Sequence, residues 1–224
     1  MINRAKLASM IDHSVLRPES TEEDVRKACK LSVELGLGAV VVNSYHIPIT
    51  VAALKGSRVK PCSVISFPFG LSATETKLAE ARDVLAKGAE EIDVVMNFSA
   101  LRSGREDYVL KEISGIVELA KEGRRGTIVK VILETCYLND TQKKQGCLLA
   151  VKASADFVKT STGFGSAGAT LEDVRLLRRT VPSSVGVKAA GGIRTADQAV
   201  QMVEAGANRI GTSSSLSILN GLQQ

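Results

Sequence analysis

Two lysines stand near the ends of short apolar segments and are the side chains best suited to covalent chemistry. Lys159 lies in DFVKTSTGFGS and Lys188 lies in SVGVKAAGGIR. A buried lysine generally has a charged partner or a function, although a lysine at a rim can extend its ammonium group into solvent. If the two segments are neighbouring strands, about 4.8 Å apart, the ammonium groups repel each other and the pKa of one falls. A neutral amine facing a pocket can form a Schiff base. The residues alone do not decide which lysine is the nucleophile.

Asp93 is the acidic residue best placed to act with these lysines. It interrupts EIDVVMN, a segment typical of a strand that is buried on both faces. Side chains alternate along a strand, so Asp93, Val95 and Asn97 are expected on one face. If that face points toward the lysines, the carboxylate can hold one of them in an ion pair. It can equally transfer protons, and the two roles are compatible.

Other charged residues occupy positions where a core strand normally has apolar ones. The segment IVKVILET places Lys130, Ile132 and Glu134 on one face. We interpret Lys130 and Glu134 as supporting electrostatic groups, with a purely structural ion network as the alternative. Asp12, in the first apolar segment, can join the same polar cluster from the side.

Three loops rich in glycine and hydroxyl groups indicate a phosphate site. They are STGFGS (161–166), AAGGIR (189–194) and GTSSS (211–215). Glycines allow backbone N–H groups to approach an anion, and serine and threonine add donors. One such loop is weak evidence, but in α/β barrels phosphate often binds to the loops after the seventh and eighth strands. The loops therefore predict a small phosphorylated substrate.

The elements that must position these residues follow a recurring pattern. A helical stretch ends in glycine, alanine follows, and a short β-branched segment comes next, as in VELGLGAVVV (33–42) and VEAGANRIG (203–211). Glycine adopts the left-handed conformation that ends a helix, and the apolar segment has the length of a buried parallel strand. Helices are predicted between eight such strands, at 9–14, 39–43, 61–67, 91–96, 128–134, 156–160, 184–189 and 209–213.

This alternation predicts a (β/α)8 TIM barrel with a short extra N-terminal helix at 2–8. An open doubly wound sheet is the alternative, but no GxGxxG motif follows the first strand. The chain has 224 residues and no linker or low-complexity segment, so residues 1–224 are predicted to form a single catalytic domain. The active site is then expected where the strands end and the βα loops begin.

Composition excludes several other classes of function. The net charge is +5, but no block of five like charges occurs, so no nucleic-acid partner is expected. No apolar stretch approaches the roughly 20 residues of a membrane span, and the N-terminus is too polar for a signal peptide. The four cysteines form no CxxC pair and only two histidines are present. We therefore expect a cytoplasmic protein with reduced thiols, no metal site and no cofactor.

Taken together, the chain resembles the deoxyribose-phosphate aldolase family of class I aldolases. The matching segments are MIDHSVLRPE, SFPFG, EIDVVMN, KVILET, FVKTSTGFGSAGAT, VGVKAAGGIR and RIGTSSS. The resemblance implies reversible cleavage of 2-deoxy-D-ribose 5-phosphate to D-glyceraldehyde 3-phosphate and acetaldehyde. It implies that Lys159 forms the imine with the substrate. Lys188 would keep the Lys159 amine neutral and help to shuttle protons, and Asp93 would act as acid and base through a water. An imine withdraws electrons, so the reaction needs no metal.

The resemblance also extends to the phosphate loops and shows two departures, of which the first is that Val42 and Ser44 replace residues common in the family. The residues at the family's phosphate-contacting positions are Gly163, Gly191, Gly192, Gly211, Ser213 and Ser214. Some longer members end in a tyrosine that relays protons, whereas no tyrosine follows Tyr137 here. Protonation is then expected to depend on Asp93, Lys188 and water. Barrels of this size often pair through their outer helices, so a homo-oligomer is expected.

Two alternatives remain open. A lysine-dependent barrel enzyme acting on a different phosphorylated sugar or keto acid would share this fold. A catalytically silent barrel that binds a sugar phosphate as a sensor would also keep the glycine-rich loops. Retention of Lys159, Lys188 and Asp93 argues against the silent barrel.

Overall fold

The computed structural model describes residues 2–123 and 126–222 and shows eight parallel strands closed into a barrel. Each strand pairs with the next along the chain, and the eighth pairs with the first. The strands are β1 (Ile11–Val15), β2 (Ala39–Val42), β3 (Lys60–Ile65), β4 (Glu91–Val95), β5 (Ile128–Ile132), β6 (Phe157–Lys159), β7 (Gly186–Ala190) and β8 (Arg209–Thr212). The predicted (β/α)8 barrel is confirmed.

Helices cover the outside of the barrel. They are α1 (Arg4–Met10), α2 (Glu22–Leu35), α3 (Ile47–Leu54), α4 (Thr74–Ala86), α5 (Phe98–Arg102), α6 (Glu106–Gly123), α7 (Asp140–Lys152), α8 (Leu171–Thr180), α9 (Ala196–Glu204) and α10 (Ser215–Asn220). The extra N-terminal helix predicted at 2–8 is α1, which continues to Met10 and delays the first strand to Ile11. Within the described residues, no helix combines the length and apolarity required to cross a membrane.

Local signals in the sequence set several helix ends. The hydroxyl of Thr21 accepts a hydrogen bond from the backbone N–H of Asp24, whose carboxylate accepts one from the backbone N–H of Thr21. Such a capping box satisfies two amide groups that the first turn leaves unpaired. The same helix, α2, ends at Gly36 in the left-handed conformation, at φ 66°. Both ends of α2 therefore follow from residues visible in the sequence.

The two faces of the barrel strands differ in chemistry. The outward residues Val40 and Val42 belong to the main apolar core between strands and helices, whereas Val41 belongs to a small separate cluster with Cys62 and Val64. Strand alternation places this second cluster inside the barrel. Much of the rest of the interior is charged, because β1, β4, β5, β6 and β7 each direct buried acidic or basic side chains inward. The barrel interior is thus a site for chemistry rather than a purely apolar core.

A buried ion pair lies between two outer helices. Lys77 on α4 contacts Glu112 on α6 at 2.8 Å, and both side chains are fully buried. The Lys77 ammonium also donates to the carbonyl of Val95, and Glu112 accepts from the backbone N–H of Asn97, at 2.8 and 3.0 Å. These bonds fix the end of β4, two residues beyond Asp93.

Replacing Lys77 with methionine is expected to lower the free energy of unfolding by about 3–5 kcal/mol, because Glu112 is then left in the core without its cation. Urea denaturation measures this change. The double variant K77M/E112L should lose less, since it removes both charges. As a control, Lys87→Met removes an exposed pair with Asp83 and should change stability by less than about 1 kcal/mol. Equal losses in K77M and K87M would contradict the role of the pair.

Candidate active site

The two lysines singled out in the sequence are direct neighbours across the sheet. Lys159 is the last residue of β6 and lies opposite Lys188 of β7 in the strand register. Both ammonium groups contact the same oxygen of Asp93 on β4: Lys159 Nζ lies 2.8 Å and Lys188 Nζ 2.7 Å from Oδ2. The fold therefore brings together the three residues for which the sequence predicts catalysis.

Six side chains, five of them buried and Arg209 partly buried, form a closed ring in which cations and carboxylates alternate. In order around the ring they are Arg209, Asp12, Lys188, Asp93, Lys130 and Glu91. Each neighbouring pair is in direct contact, with nitrogen–oxygen distances between 2.5 and 2.9 Å. We call this arrangement the ion ring. Its three basic and three acidic members balance one another.

Lys159 is attached to the ion ring but is not one of its members. It contacts Asp93, whose charge Lys188 and Lys130 already share, so the full set holds four basic and three acidic side chains. Burying an unbalanced charge costs much more than burying a balanced set. The proton that the interior holds least favourably is therefore that of Lys159. This charge count distinguishes the two lysines, which the sequence did not.

The pKa directions agree with this count. Burial lowers the pKa of Lys159; the Asp93 carboxylate opposes this, and the positive charge of Lys188 adds to it. For Lys188, burial also favours loss of the proton, but Asp12 and Asp93 together outweigh it and raise the pKa. Repulsion between the two lysines, which the sequence suggested as the main cause of a lowered pKa, is thus secondary to burial at Lys159.

Two carboxylates of the ion ring, those of Asp93 and Asp12, stay ionised. Burial acts to raise the pKa of Asp93, but the charges of Lys130, Lys159 and Lys188 outweigh it and hold the pKa well below the usual range. Burial likewise acts to raise the pKa of Asp12, and Lys188 leads the cations that lower it to about 2. Asp12 and Lys130, expected as supporting residues, are therefore direct members of the network.

Two expectations from strand alternation are wrong. Glu134 does not share a network with Lys130, because β5 ends at Ile132 and Glu134 adopts the left-handed conformation, at φ 55°. Asn97 does not face the barrel interior beside Asp93, since β4 ends at Val95. The side chain of Asn97 instead accepts the backbone N–H of Ala100 at 2.9 Å and begins α5. Alternation holds only while the chain remains extended.

Glu134 has a different function in the site, which is to hold the loop after β6. Its carboxylate accepts hydrogen bonds from the backbone N–H and the hydroxyl of Thr162. The same hydroxyl accepts the backbone N–H of Phe164 at 3.0 Å. Burial raises the pKa of Glu134, and its bonds to Thr162 oppose that change. The loop that carries Gly163 is thereby fixed to the end of β5.

A cavity of about 760 Å³ opens at the carboxyl ends of the strands. Lys159 lies on its wall, whereas Lys188 is completely buried and does not line it. All six residues expected to contact phosphate line the same cavity: Gly163, Gly191, Gly192, Gly211, Ser213 and Ser214. Gly163, Gly191 and Gly192 have φ values of 88°, 90° and 80°, which residues with a Cβ adopt only with strain.

Gly211 is needed for close packing beside the lysines. A Cβ at this position would lie 2.8 Å from the Cβ of Ala190 and 3.2 Å from Cε of Lys188. Any side chain here would push on Lys188, so Gly211 keeps the ammonium of that residue in place. Among residues 2–123 and 126–222, no three His, Cys, Asp or Glu side chains are grouped to hold a metal ion.

Two members of the ion ring, Glu91 and Arg209, were not predicted from the sequence. Glu91 stands two residues before Asp93 and so shares its face of β4, a signal that alternation offered. Arg209 begins β8 as Glu91 begins β4, and its guanidinium contacts both Asp12 and Glu91, at 2.6 and 2.9 Å. Cys62 was also missed as a site residue; its thiol lies 3.4 Å from Oδ1 of Asp93.

A closed parallel barrel with reactive groups and a cavity at the carboxyl ends of its strands defines a (β/α)8-barrel enzyme. The model of the DeoC/LacD family of aldolases matches residues 6–221, and the chain belongs to this family.

Several relatives are similar over nearly the whole chain. A deoxyribose-phosphate aldolase of Carboxydothermus hydrogenoformans is 48% identical over 222 residues, covering 99% of this chain and 97% of the relative. One from Thermococcus gammatolerans is 52% identical over 217 residues, 96% of each chain. A solved structure of deoxyribose phosphate aldolase from Aeropyrum pernix, described as a unique tetramer, has a TM-score of 0.91 and 40% identity, covering 97% of this chain and 91% of that one.

Proposed function

We propose that the protein is a class I aldolase that reversibly cleaves 2-deoxy-D-ribose 5-phosphate to D-glyceraldehyde 3-phosphate and acetaldehyde. The observation that carries this proposal is the position of Lys159. It is the additional cation on a balanced ion ring, and it lies on the wall of a cavity with three positive-φ glycines. The full-length relatives named deoxyribose-phosphate aldolase support the choice of substrate.

In the proposed first step, the neutral Nζ of Lys159 adds to C1 of the open-chain sugar aldehyde. Loss of water then gives a protonated imine. Lys188 keeps its proton in the free enzyme but does not line the cavity, so we propose that it supplies the proton for the departing hydroxyl indirectly, through Asp93 and a water. Asp93 accepts hydrogen bonds from both lysines through one oxygen, so it is placed to pass protons between them and, through a water, to the substrate.

In the proposed cleavage step, the C3 hydroxyl gives its proton through a water to Asp93, and the C2–C3 bond breaks. The bonding electrons move into the imine and leave an enamine on Lys159, while C3 becomes the aldehyde carbon of glyceraldehyde 3-phosphate. Protonation of the enamine at C2 and hydrolysis release acetaldehyde and restore the amine. Carbon counting fixes the bond, since the products have three and two carbons. The phosphate binds to the backbone N–H groups around Gly191 and Gly192 throughout.

The wider setting is also proposed. The single barrel domain acts on a small phosphorylated sugar, and the tetrameric relative from Aeropyrum pernix supports a homo-oligomer. We place the protein in the cytoplasm, where reduced thiols persist; the four cysteines are free, and Cys29, Cys62 and Cys147 are buried.

The direct test is to trap the imine. The protein is incubated with acetaldehyde, reduced with borohydride and digested, and the modified peptide is located by mass spectrometry. An ethyl group on Lys159 is expected, together with release of glyceraldehyde 3-phosphate from deoxyribose 5-phosphate in a coupled assay. Absence of both an adduct and cleavage would refute the aldolase and favour a barrel that only binds a sugar phosphate.

Replacing Gly192 with alanine is expected to raise KM for deoxyribose 5-phosphate about tenfold. Its φ of 80° costs about 1–2 kcal/mol for a residue with a Cβ, so the loop relaxes and its amides move away from the phosphate. The matched control is Gly56→Ala, which has φ 81° and the same open surroundings but does not line the cavity. Cleavage of unphosphorylated deoxyribose should change little; an equal loss on both sugars would contradict a phosphate role.

A further inference from the structure

The ion ring extends well beyond the residues that line the cavity. Arg209 and Glu91 are the first residues of β8 and β4, so they lie at the amino ends of the strands, opposite the cavity. Neither lines the cavity. The side chain of Glu91 is 1% exposed and that of Arg209 is 15% exposed. Substrate bound beside Lys159 does not reach them, so any effect they have on the reaction passes through the ring.

The fold reserves space for the Arg209 guanidinium. A Cβ on Gly38, just before β2, would lie 2.4 Å from Nη1 of Arg209 and 2.7 Å from the carbonyl oxygen of Ser9. Only glycine leaves that volume free. The guanidinium then reaches across the barrel to carboxylates on two different strands, Asp12 of β1 and Glu91 of β4. A planar group with five donors suits this paired contact.

Two routes of direct contacts connect this end of the barrel to Lys159. Along one route, Asp12 contacts Lys188 at 2.5 Å and Lys188 contacts Asp93 at 2.7 Å. Along the other, Glu91 contacts Lys130 at 2.6 Å and Lys130 contacts Asp93 at 2.8 Å. Asp93 completes both routes with its 2.8 Å contact to Lys159.

We propose that Arg209 and Glu91 are positioning residues that determine, through the ion ring, whether Lys159 carries a proton. The inference rests on the proposed role of Lys159 as the nucleophile. It follows from charge balance: the ring keeps three cations for three carboxylates, and Lys159 is the group that gains or loses a proton when that balance changes.

The charged and titratable groups around Lys159 come from every other strand except β2. They are Asp12 on β1, Cys62 on β3, Asp93 and Glu91 on β4, Lys130 on β5, Glu134 after β5, Lys188 on β7 and Arg209 on β8. Cys62 is a neutral thiol, since burial raises its pKa. Glu134 is engaged by Thr162. The ring members are therefore the groups whose balance decides the protonation of Lys159.

Neutralising a cation and neutralising an anion must then have opposite effects. Without the charge of Arg209, three carboxylates face two ring cations, and a protonated Lys159 supplies the third. Lys159 then holds its proton to higher pH, and the amine is available only under more alkaline conditions. Without the charge of Glu91, three ring cations face two carboxylates, and Lys159 loses its proton at lower pH than in the unchanged protein.

The experiment compares Arg209→Met, Arg209→Lys, Glu91→Gln and the double variant R209M/E91Q. For each, the pH dependence of acetaldehyde trapping on Lys159 is measured with borohydride and mass spectrometry, beside the pH profile of kcat/KM. We expect R209M to move both profiles to higher pH by about one unit or more. At a fixed acidic pH this shift corresponds to about a tenfold loss of both trapping and kcat/KM. R209K keeps the positive charge, so its profiles should keep their position on the pH axis even where its rate is lower. E91Q should move toward lower pH, and the double variant should return toward the starting profile.

The outcomes separate the two proposals. Trapping in the unchanged protein with equal profiles in R209M and R209K would overturn the inference and leave the proposed function intact. A shift of E91Q in the same direction as R209M would overturn it as well. If R209M alone does not fold, the question is decided by E91Q and by the double variant, which keeps the ring balanced. No trapping in the unchanged protein would overturn the proposed function and this inference with it.

Discussion

Lys159→Met is expected to lower kcat/KM for deoxyribose 5-phosphate by at least about 10⁴-fold, and to abolish borohydride-dependent labelling by acetaldehyde. Methionine fills a similar volume but has no amine, so neither imine nor enamine can form. The fold should survive, because the ion ring keeps its three cations and three carboxylates when Lys159 is removed. Steady-state cleavage and peptide mapping measure the two effects, and thermal unfolding monitors the fold.

Lys60→Met provides the control for this variant. Lys60 also belongs to a barrel strand, but it pairs with Glu90 near the surface, where its side chain is 46% exposed. Its replacement should leave cleavage within about twofold of the starting rate, in line with the small effects of surface substitutions. Cleavage by K159M at an unchanged rate would refute the imine mechanism. An adduct on Lys188 in the unchanged protein would keep the aldolase but exchange the roles of the two lysines.

Lys188→Leu is expected to reduce cleavage at pH 7 by about 100-fold and to move the activity optimum to higher pH. Removing Lys188 leaves Arg209, Lys130 and Lys159 as three cations for three carboxylates, so Lys159 holds its proton and its pKa rises. Below that raised pKa, the neutral fraction of Lys159, and with it the rate, increases about tenfold per pH unit. The pH profile of kcat/KM from pH 5 to 10 measures the shift.

The matched control is Lys188→Arg, which retains a positive charge beside Asp12 and Asp93. K188R should cleave the sugar more slowly, because a guanidinium is a poor proton donor, but its pH optimum should not move to higher pH. The two variants thus separate charge balance from proton transfer. A lower rate in K188L with an unchanged pH profile would mean that Lys188 acts only as a proton donor.

Much of the fold and the centre of the site could be predicted because their causes are local. Apolar segments of strand length, each following a helix that ends in a small residue, indicate βα units. In a closed barrel, consecutive strands are neighbours, so Lys159 and Lys188 had to be close. The glycine-rich loops after β6 and β7 also had to open at the same end as both lysines.

The ion ring could not be predicted because it depends on contacts across the barrel. Arg209 and Glu91 are 118 positions apart and lie on strands that are not neighbours. Their pairing depends on side chains crossing the interior and on the space beside Gly38. The choice between Lys159 and Lys188 requires the same information, since only the closed ring shows which lysine has no carboxylate of its own.

The location of the ion ring makes the protein's internal electrostatics nearly insensitive to the surrounding electrolyte. Mobile ions weaken interactions between exposed charges over about 8–10 Å at physiological ionic strength, but they do not enter a packed interior. Apart from part of Arg209, the ring members have at most 1% of their side-chain surface in contact with solvent. Changes in salt concentration therefore act on the capture of the anionic sugar at the open cavity, while the basicity of the amine at Lys159 stays nearly constant.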